Sequence, residues 1–338
     1  MGKRMSKFSI ILPVRNGGEY LKECVKSILL QRLKEFNLII LDNCSTDGTV
    51  PWVRSLNDPR IVLLESGKPL SIEENWRRVV TVPKNEFITL IGHDDVLQEN
   101  YLTVMDNLIN SFPGASLYQC HFNYIDEKGM QVRDCKPMVE KETGGDFLKS
   151  VLTNQIDIMG TGFMMRSRDY DALGGIPDYP NLLFADFELW FRLTAKSQKI
   201  TSPEQCFSFR VHQSTTSSSP DIKMQTAFDR FISYLARIKE EDAIYENVIN
   251  QYGIRFISFY CKGLSHRLLR TPRTKRGNLT VRSFTEKCKL YADLLVPGNN
   301  YNPTDVWSVW IAVILDSNPV GRFLFGLFKK VYSKPVLK

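Results

Sequence analysis

The chain has 338 residues, 43% hydrophobic and 24% charged, which suits roughly one large or two ordinary domains with an apolar core and excludes a disordered chain. Its formal charge of +7 is unevenly placed, because residues 262–338 carry fourteen Lys/Arg against four Asp/Glu and the body before them is slightly acidic. The longest apolar run, 306–315, falls short of the roughly 18 residues of a spanning helix, and the seven cysteines form no C-x-x-C pair, as expected of reduced thiols in a cytosolic protein without a zinc site.

Short apolar runs at 9–12, 37–41, 60–64 and 87–91 have strand length and composition, and helix-like stretches at 18–31, 46–56 and 72–80 separate them. The run at 8–12 is too short for a signal peptide and reads as the first strand. This alternation predicts β-α-β units and a mostly parallel, Rossmann-like α/β sheet flanked by helices. Ligands of such sheets sit at the carboxyl ends of the strands. Polar clusters fall at those ends: PVRNGG after the first strand, DNCSTDGT after the second and GHDD after the fourth.

From about 115 to 215 the pattern is mixed. Strands are expected at 116–124, 162–166 and 206–211, with helices at 145–152 and 186–195. A Ser/Thr-rich loop at 213–221 closes this part. Residues 222–269 then have helical spacing almost free of breakers, TPRTKRGNLT forms a basic connector, and the last forty residues mix Trp307, Trp310, Phe323, Phe325 and Phe328 with Arg and Lys.

Four places offer chemistry. Asp42 ends the second strand and opens a tight turn, where it can cap the next helix with Ser45 or accept hydrogen bonds from the edge of a nucleobase. Asp94 and Asp95 are adjacent hard oxygen donors for Mg²⁺ or Mn²⁺, or simply a polar turn. Asp186 opens a helix on the same face as Leu189, Trp190 and Leu193, so it is a cap for the helix dipole or a general base aimed into a cleft. Glu188 lies off that face and is expected in solvent. His212 ends a strand and can complete a metal site built otherwise from oxygen.

Taken together, SIILPVRNGGEYLKECVKSIL, LIILDNCSTDGT, the Asn75 helix, FITLIGHDDVLQENYL, LGGIP, ADFELWFRL and FRVHQSTTS resemble the inverting family 2 glycosyltransferases with a GT-A fold, over about residues 6–215. The resemblance implies a nucleotide pocket lined by Pro13, Val14, Arg15 and Asn16, with Asp42 reading the base and Asn75 near the ribose or diphosphate. It places the D-x-D metal element on Gly92, His93 and Asp94, with Asp95 next and His212 contacting metal or diphosphate. It makes Asp186 the base and sets Thr161, Gly162 and Trp190 beside the acceptor. Four residues depart from the pattern: Gly92 for the first D-x-D carboxylate, Asn43 for a second Asp, Ala185 for a Glu before the base, and Arg15 at a frequently aromatic or small position.

The resemblance therefore implies Mn²⁺ or Mg²⁺, a nucleoside-diphosphate sugar with UDP ahead of dTDP and GDP, and a saccharide or lipid-linked saccharide acceptor in bacterial surface polysaccharide synthesis. A catalytically weak or inactive binding protein of the same fold is the first alternative, motivated by Gly92 and Ala185. A nucleotidyltransferase is the second, though NGGEY lacks the lysine of its phosphate loop. The expected organisation is a catalytic domain at 1–220, with nucleotide-sugar binding at 6–125 and acceptor binding at 126–220, and a basic helical region at 221–338. Residues 303–338 are expected either to cap the catalytic domain, to form an oligomer contact or to meet an anionic membrane surface from the cytoplasm. Nucleic acid is not expected, since the basic residues carry no reading motif.

Overall fold

The structure is a computed structural model and describes residues 6–212 and 219–331. Six residues of the Ser/Thr-rich loop, 213–218, and the end of the basic tail, 332–338, lie outside the described residues. Contacts divide the chain into two compact units. The first is built from the chain up to Phe147 and from Ile156 on to residue 214, and the second from Leu148–Gln155 and the remaining C-terminal residues.

The first unit is a ten-stranded sheet of β1 (Phe8–Val14), β2 (Phe36–Asp42), β3 (Ile61–Glu65), β4 (Phe87–Leu90), β5 (Val96–Leu97), β6 (Leu117–Ile125), β7 (Gln131–Asp134), β8 (Lys141–Thr143), β9 (Met164–Arg166) and β10 (Gln198–Arg210). The order along the sheet is β3-β2-β1-β4-β9-β6-β10-β5, with β7 on β6 and β8 on β10. The long pairings, β1 with β2 and β4, β2 with β3, and β6 with β10, are parallel, and the short ones are antiparallel. Central strands are covered on both faces, which is why FSIILPV and FNLIILD are apolar without alternation. The α/β expectation is met, and β9 enters antiparallel between β4 and β6.

Helices α1 (Gly18–Leu29), α2 (Thr49–Ser55) and α3 (Ile72–Arg77) connect the first four strands. α3 starts on a capping box, Ser71 with Glu74. α4 (Tyr101–Ser111) was not expected from the sequence: it follows β5 without a Gly or Pro, and its N-cap Asn100 makes no side-chain cap. β10 begins eight residues before the strand expected at 206–211. The Pro203 region is an exposed bulge where the register against β6 shifts between Ser202 and Phe207. α5 (Gly144–Leu152), α6 (Ser167–Ala172) and α7 (Ala185–Lys196) complete the region.

The second unit is helical, with α8 (Asp221–Glu241), α9 (Ala243–Arg270), α10 (Val281–Leu295), α11 (Trp307–Ser317) and α12 (Pro319–Val331). The apparently continuous helix at 222–269 breaks at Asp242, which takes an extended conformation and caps α9 by accepting from Ile244 N–H. Phe228, Phe231, Phe256 and Tyr291 form an aromatic core. The basic connector is anchored by a buried ion pair, Arg276 Nη1 to Asp316 Oδ1 at 2.7 Å, whose other carboxylate oxygen accepts from Val281 N–H.

Candidate active site

Two loops at the strand ends are laced together. After β1, Asn16 takes a left-handed conformation with φ of 54°, its N–H donates to Ser45 Oγ at 2.8 Å, and its Oδ1 accepts from Thr46 N–H at 2.8 Å. Gly18 N–H donates to Asp47 Oδ2 at 2.9 Å, and Asn43 N–H to Val14 carbonyl at 2.9 Å. The PVRN and DNCSTD segments are therefore bonded into one cradle; of the residues expected to line a nucleotide pocket, Arg15 and Asn16 are exposed on it, while Pro13 and Val14 are the buried end of β1.

Asp42 is buried at the base of this cradle. Its Oδ2 accepts from Ser45 N–H at 3.1 Å, while its Oδ1 is buried with no hydrogen-bond partner among the described residues. A buried carboxylate oxygen left unpaired is costly, and a donor group on a bound ligand removes that cost. The Asp42 carbonyl accepts from Arg78 Nη1 at 2.8 Å. That guanidinium also donates to the Leu64 carbonyl and to Asn75 Oδ1, and Asn75 Nδ2 donates to the Leu41 carbonyl. The Asn75 amide is thus committed to holding β2 and Arg78. Asn43, at the position where a second Asp was the pattern, uses its amide to clamp Leu70 through both N–H and carbonyl.

At the end of β4, the two adjacent aspartates have different jobs. Asp94 is half-buried, and its Oδ2 lies 2.6 Å from His212 Nε2. Burial works to raise its pKa, but the His212 bond and the nearby imidazoles of His93 and His212 outweigh it and hold the carboxyl below its ordinary range. Asp95 is buried, and both its oxygens are used inside the protein: Oδ2 accepts from Thr161 Oγ1 at 2.7 Å and Oδ1 from Arg210 N–H at 3.1 Å. Burial, with Asp94 beside it, pushes the Asp95 carboxyl well above the carboxylate range. Of the metal set Asp94, Asp95 and His212, the structure brings Asp94 and His212 together and leaves Asp95 as a tie between β4, residue 161 and β10.

Among the described residues no group of three His, Cys, Asp or Glu is placed to hold a metal ion. Asp94 and His212 are two donors, and a divalent cation bound to a diphosphate takes few protein ligands and completes its shell with phosphate oxygens and water. The residues fit that arrangement. Gly92 fits it as well, because a Cβ there would stand 2.6 Å from Asp94 Oδ1. We expect Gly92→Ala to turn the Asp94 carboxylate away from His212 and, because the Cβ would also crowd buried Asp95 Oδ2 at 3.1 Å, to cost about 1 kcal/mol of stability. Any stimulation of activity by Mn²⁺ should fall about 10- to 100-fold, read from a metal titration beside a thermal melt.

Arg210 was visible only as part of an R-x-H pattern, yet it organises this corner. It is buried; Nε donates to the Asp94 carbonyl at 2.8 Å, Nη1 to the Asp126 carbonyl at 2.9 Å and Nη2 to Glu23 Oε2 at 2.6 Å. Its guanidinium lies 4.7 Å from the centre of the Tyr20 ring, which itself packs 5.3 Å from the His212 ring. Tyr20 and Glu23, on one face of α1, carried no separate signal.

α7 is docked to the same rim from two sides. Asn181 N–H donates to Glu73 Oε1 of α3 at 2.7 Å. Farther along, Trp190 Nε1 donates to the Met159 carbonyl at 2.8 Å and its ring stacks on Phe163 at 4.3 Å, next to the Thr161 that holds Asp95. Trp190 is fully buried, so it positions α7 from inside the core, whereas the resemblance sets it beside the acceptor. Thr161 is likewise buried, its hydroxyl given to Asp95, and Gly162 has φ of 78° with the Phe207 ring 2.9 Å from where a Cβ would be.

Between the two anchors, Asn181, Leu182 and Phe184 all have positive φ, a conformation that bulky residues rarely hold without a functional reason. This strained segment delivers Asp186 to the first turn of α7, half-buried, with Oδ1 accepting from Phe187 N–H at 3.0 Å. Desolvation pushes its pKa up to about 6. Glu188, expected in solvent, is buried instead: its Oε2 accepts from Tyr179 at 2.7 Å and Arg192 lies 3.5 Å away. The turn at 179–184 folds Tyr179 back over the helix, which periodicity alone does not show.

A sheet whose long pairings are parallel, laced loops at its strand ends, a buried acid at the foot of that loop cradle and an Asp-His pair after β4 together have the form of a GT-A fold. Residues 9–174 match the profile described as Glycosyl transferase family 2. This match, to just under half of the chain, places that segment in the family. A glycosyltransferase of Rickettsia prowazekii, described as uncharacterized, is 24% identical over 239 residues, 70% of this chain and 74% of that protein. The structure of S. aureus TarS 1-349 in complex with UDP-GlcNAc is similar at a TM-score of 0.60 and 14% identity, over 86% of this chain and 81% of that one. The mannosyltransferase PcManGT from Pyrobaculum calidifontis, in complex with GDP-Man and Mn²⁺, superposes at a TM-score of 0.52 and 14% identity, over 96% and 88% of the two chains. These two likenesses establish the fold.

Proposed function

We propose that this chain moves a sugar from a nucleoside-diphosphate sugar, UDP foremost, to a hydroxyl of a saccharide or lipid-linked saccharide, with inversion at the anomeric carbon, in the synthesis of a bacterial surface polysaccharide. The observation that carries the reading is Asp42: a buried carboxylate with one unpartnered oxygen at the foot of a preformed loop cradle, shaped to receive the donor edge of a base. The relatives' complexes with UDP-GlcNAc and GDP-Man support a nucleotide sugar in that place.

In this reading Asp42 and the 13–16 loop fix the nucleotide, and Arg78 fixes Asp42. Asp94 and His212 would hold Mn²⁺ or Mg²⁺, which supplies charge neutralisation for the departing diphosphate. Asp186 receives the proton of the acceptor hydroxyl as its oxygen forms the bond to the anomeric carbon and the bond to the diphosphate breaks. The basic C-terminal region brings the enzyme to an anionic membrane surface on the cytoplasmic side, where a lipid-linked acceptor resides. Among the described residues no single helix is long and apolar enough to cross a membrane, though α11 and residues 319–329 pass that test together as a pair bent by 119°.

The test is a screen of UDP-, dTDP- and GDP-sugars for nucleotide release, with and without Mn²⁺ and with saccharide acceptors. We expect release from one nucleotide class above the rest. A protein that binds none of the nucleotides by calorimetry would be a binding module that has kept only the fold.

A further inference from the structure

The second unit contains a groove of about 920 Å³ between the segment after α9 and the last helix. Arg270 and Arg273 stand on one wall, and Arg322 and Lys329 on the other. Among the described residues no Asp or Glu lines it. The Asp316 carboxylate, behind the basic connector, is already spent on Arg276 and Val281 N–H. Arg322 Nε is buried and has no hydrogen-bond partner among the described residues. Clustered cations without counter-charge repel one another, and a guanidinium nitrogen buried without an acceptor adds to that cost. An anion with several acceptor oxygens relieves both.

The spacing on α12 says where such an anion comes from. Arg322, Phe325, Gly326 and Lys329 face the groove at i, i+3, i+4 and i+7. Val320, Leu324, Leu327 and Phe328 repeat on the opposite face and are exposed, Val320 by 65%, and Phe323, 66% exposed, joins that stripe to the lip of the groove. α11 carries a second apolar stripe with Trp307, Trp310, Ile311 and Ile314, Trp307 being 73% exposed. An apolar face opposite a cationic one is the form of a helix lying in the headgroup layer, aromatic and aliphatic side chains toward the acyl boundary and long Arg/Lys side chains reaching to phosphate.

We propose that this groove is a binding site for the phosphate headgroup of an anionic phospholipid, with α11 and α12 lying in the interface. The proposal rests on the membrane-surface reading of the C-terminal region and deepens it from general attraction to a built site. It differs from that reading in one respect: cations elsewhere on the second unit should matter little.

Full-length protein is mixed with vesicles of phosphatidylcholine alone or with added phosphatidylglycerol, and bound protein is measured by flotation. Wild type should bind the anionic vesicles and leave the neutral ones. The combined Arg270→Gln, Arg322→Gln, Lys329→Gln variant should bind about a hundredfold more weakly, at roughly fivefold for each cation near the surface. A control with Lys262→Gln, Arg282→Gln and Lys289→Gln should bind nearly as wild type, and Leu324→Ser with Leu327→Ser should weaken binding without altering the groove. Equal loss in the control and groove variants overturns the site while sparing the membrane reading. Failure of wild type to bind anionic vesicles overturns both. Inorganic phosphate held as well as vesicles, with no effect of the Leu324 and Leu327 changes, overturns the lipid as occupant.

Discussion

Asp186→Asn is expected to lower the rate of sugar transfer by about 10²- to 10⁴-fold, the range for loss of a positioned general base, and to leave the donor's affinity unchanged. The amide keeps the shape of the carboxyl and its bond from Phe187 N–H, but it cannot take a proton. Because the carboxyl titrates at about 6, the wild-type rate should rise with pH to a plateau above that value and fall as the base is protonated below it. The same shift makes a separate prediction about stability. The unfolded carboxyl titrates near 3.8 and the folded one at about 6, so below 3.8 both states are protonated and burial of the group is tolerated. As pH climbs from there to about 6, the unfolded chain gives up its proton first, and the native state loses roughly 1 to 3 kcal/mol that stays lost at neutral pH. The Asp186→Asn variant, always neutral, should therefore melt a few degrees above wild type at about pH 8 and level with it at about pH 4. Transfer assays, a nucleotide titration by calorimetry and paired melts read all three, and undiminished turnover of the variant would remove Asp186 from the chemistry.

The parts of this molecule legible in the sequence are those set by local pattern. FNLII followed by Asp42 places a carboxylate at a strand end because a strand buried on both faces must be apolar throughout, and the first polar residue after it marks the rim. Asp94 and His212 lie 118 residues apart, and their pairing followed from a family pattern while the 2.6 Å contact followed from the fold. What stayed hidden was the division of labour between neighbours. Adjacent aspartates read alike, and only the Thr161 hydroxyl and the β10 backbone reveal that Asp95 is consumed inside while Asp94 faces outward. Trp190 and Glu188 were misplaced for a related reason: helical spacing says which face a residue occupies, but the loop at 179–184 decides what covers that face. The strand expected at 206–211 was too short, since a bulge at 203–205 that breaks the register against β6 leaves no simple periodic trace.

Arg210→Met should be a strongly disruptive change in the first unit. It removes three side-chain donors that serve the Asp94 carbonyl, the Asp126 carbonyl and Glu23, and it leaves the Tyr20 ring without its cation. Glu23 has about half of its side chain exposed (49%) and regains water, so the cost, about 2 to 3 kcal/mol, comes mainly from the two carbonyls left unpaired. For a unit of this size that is a drop on the order of 10 °C in the melting temperature. The same change should also weaken catalysis in the molecules that remain folded, because the backbone of Asp94 is what Nε holds in place. Arg210→Lys separates the two effects. A lysine keeps the charge for Glu23 but has a single donor head in place of a planar fork, so it should recover part of the stability and little of the Asp94 geometry. If Arg210→Lys restored full activity as well as full stability, charge alone would account for the residue, and the fork at the Asp94 carbonyl would have no part in shaping the site.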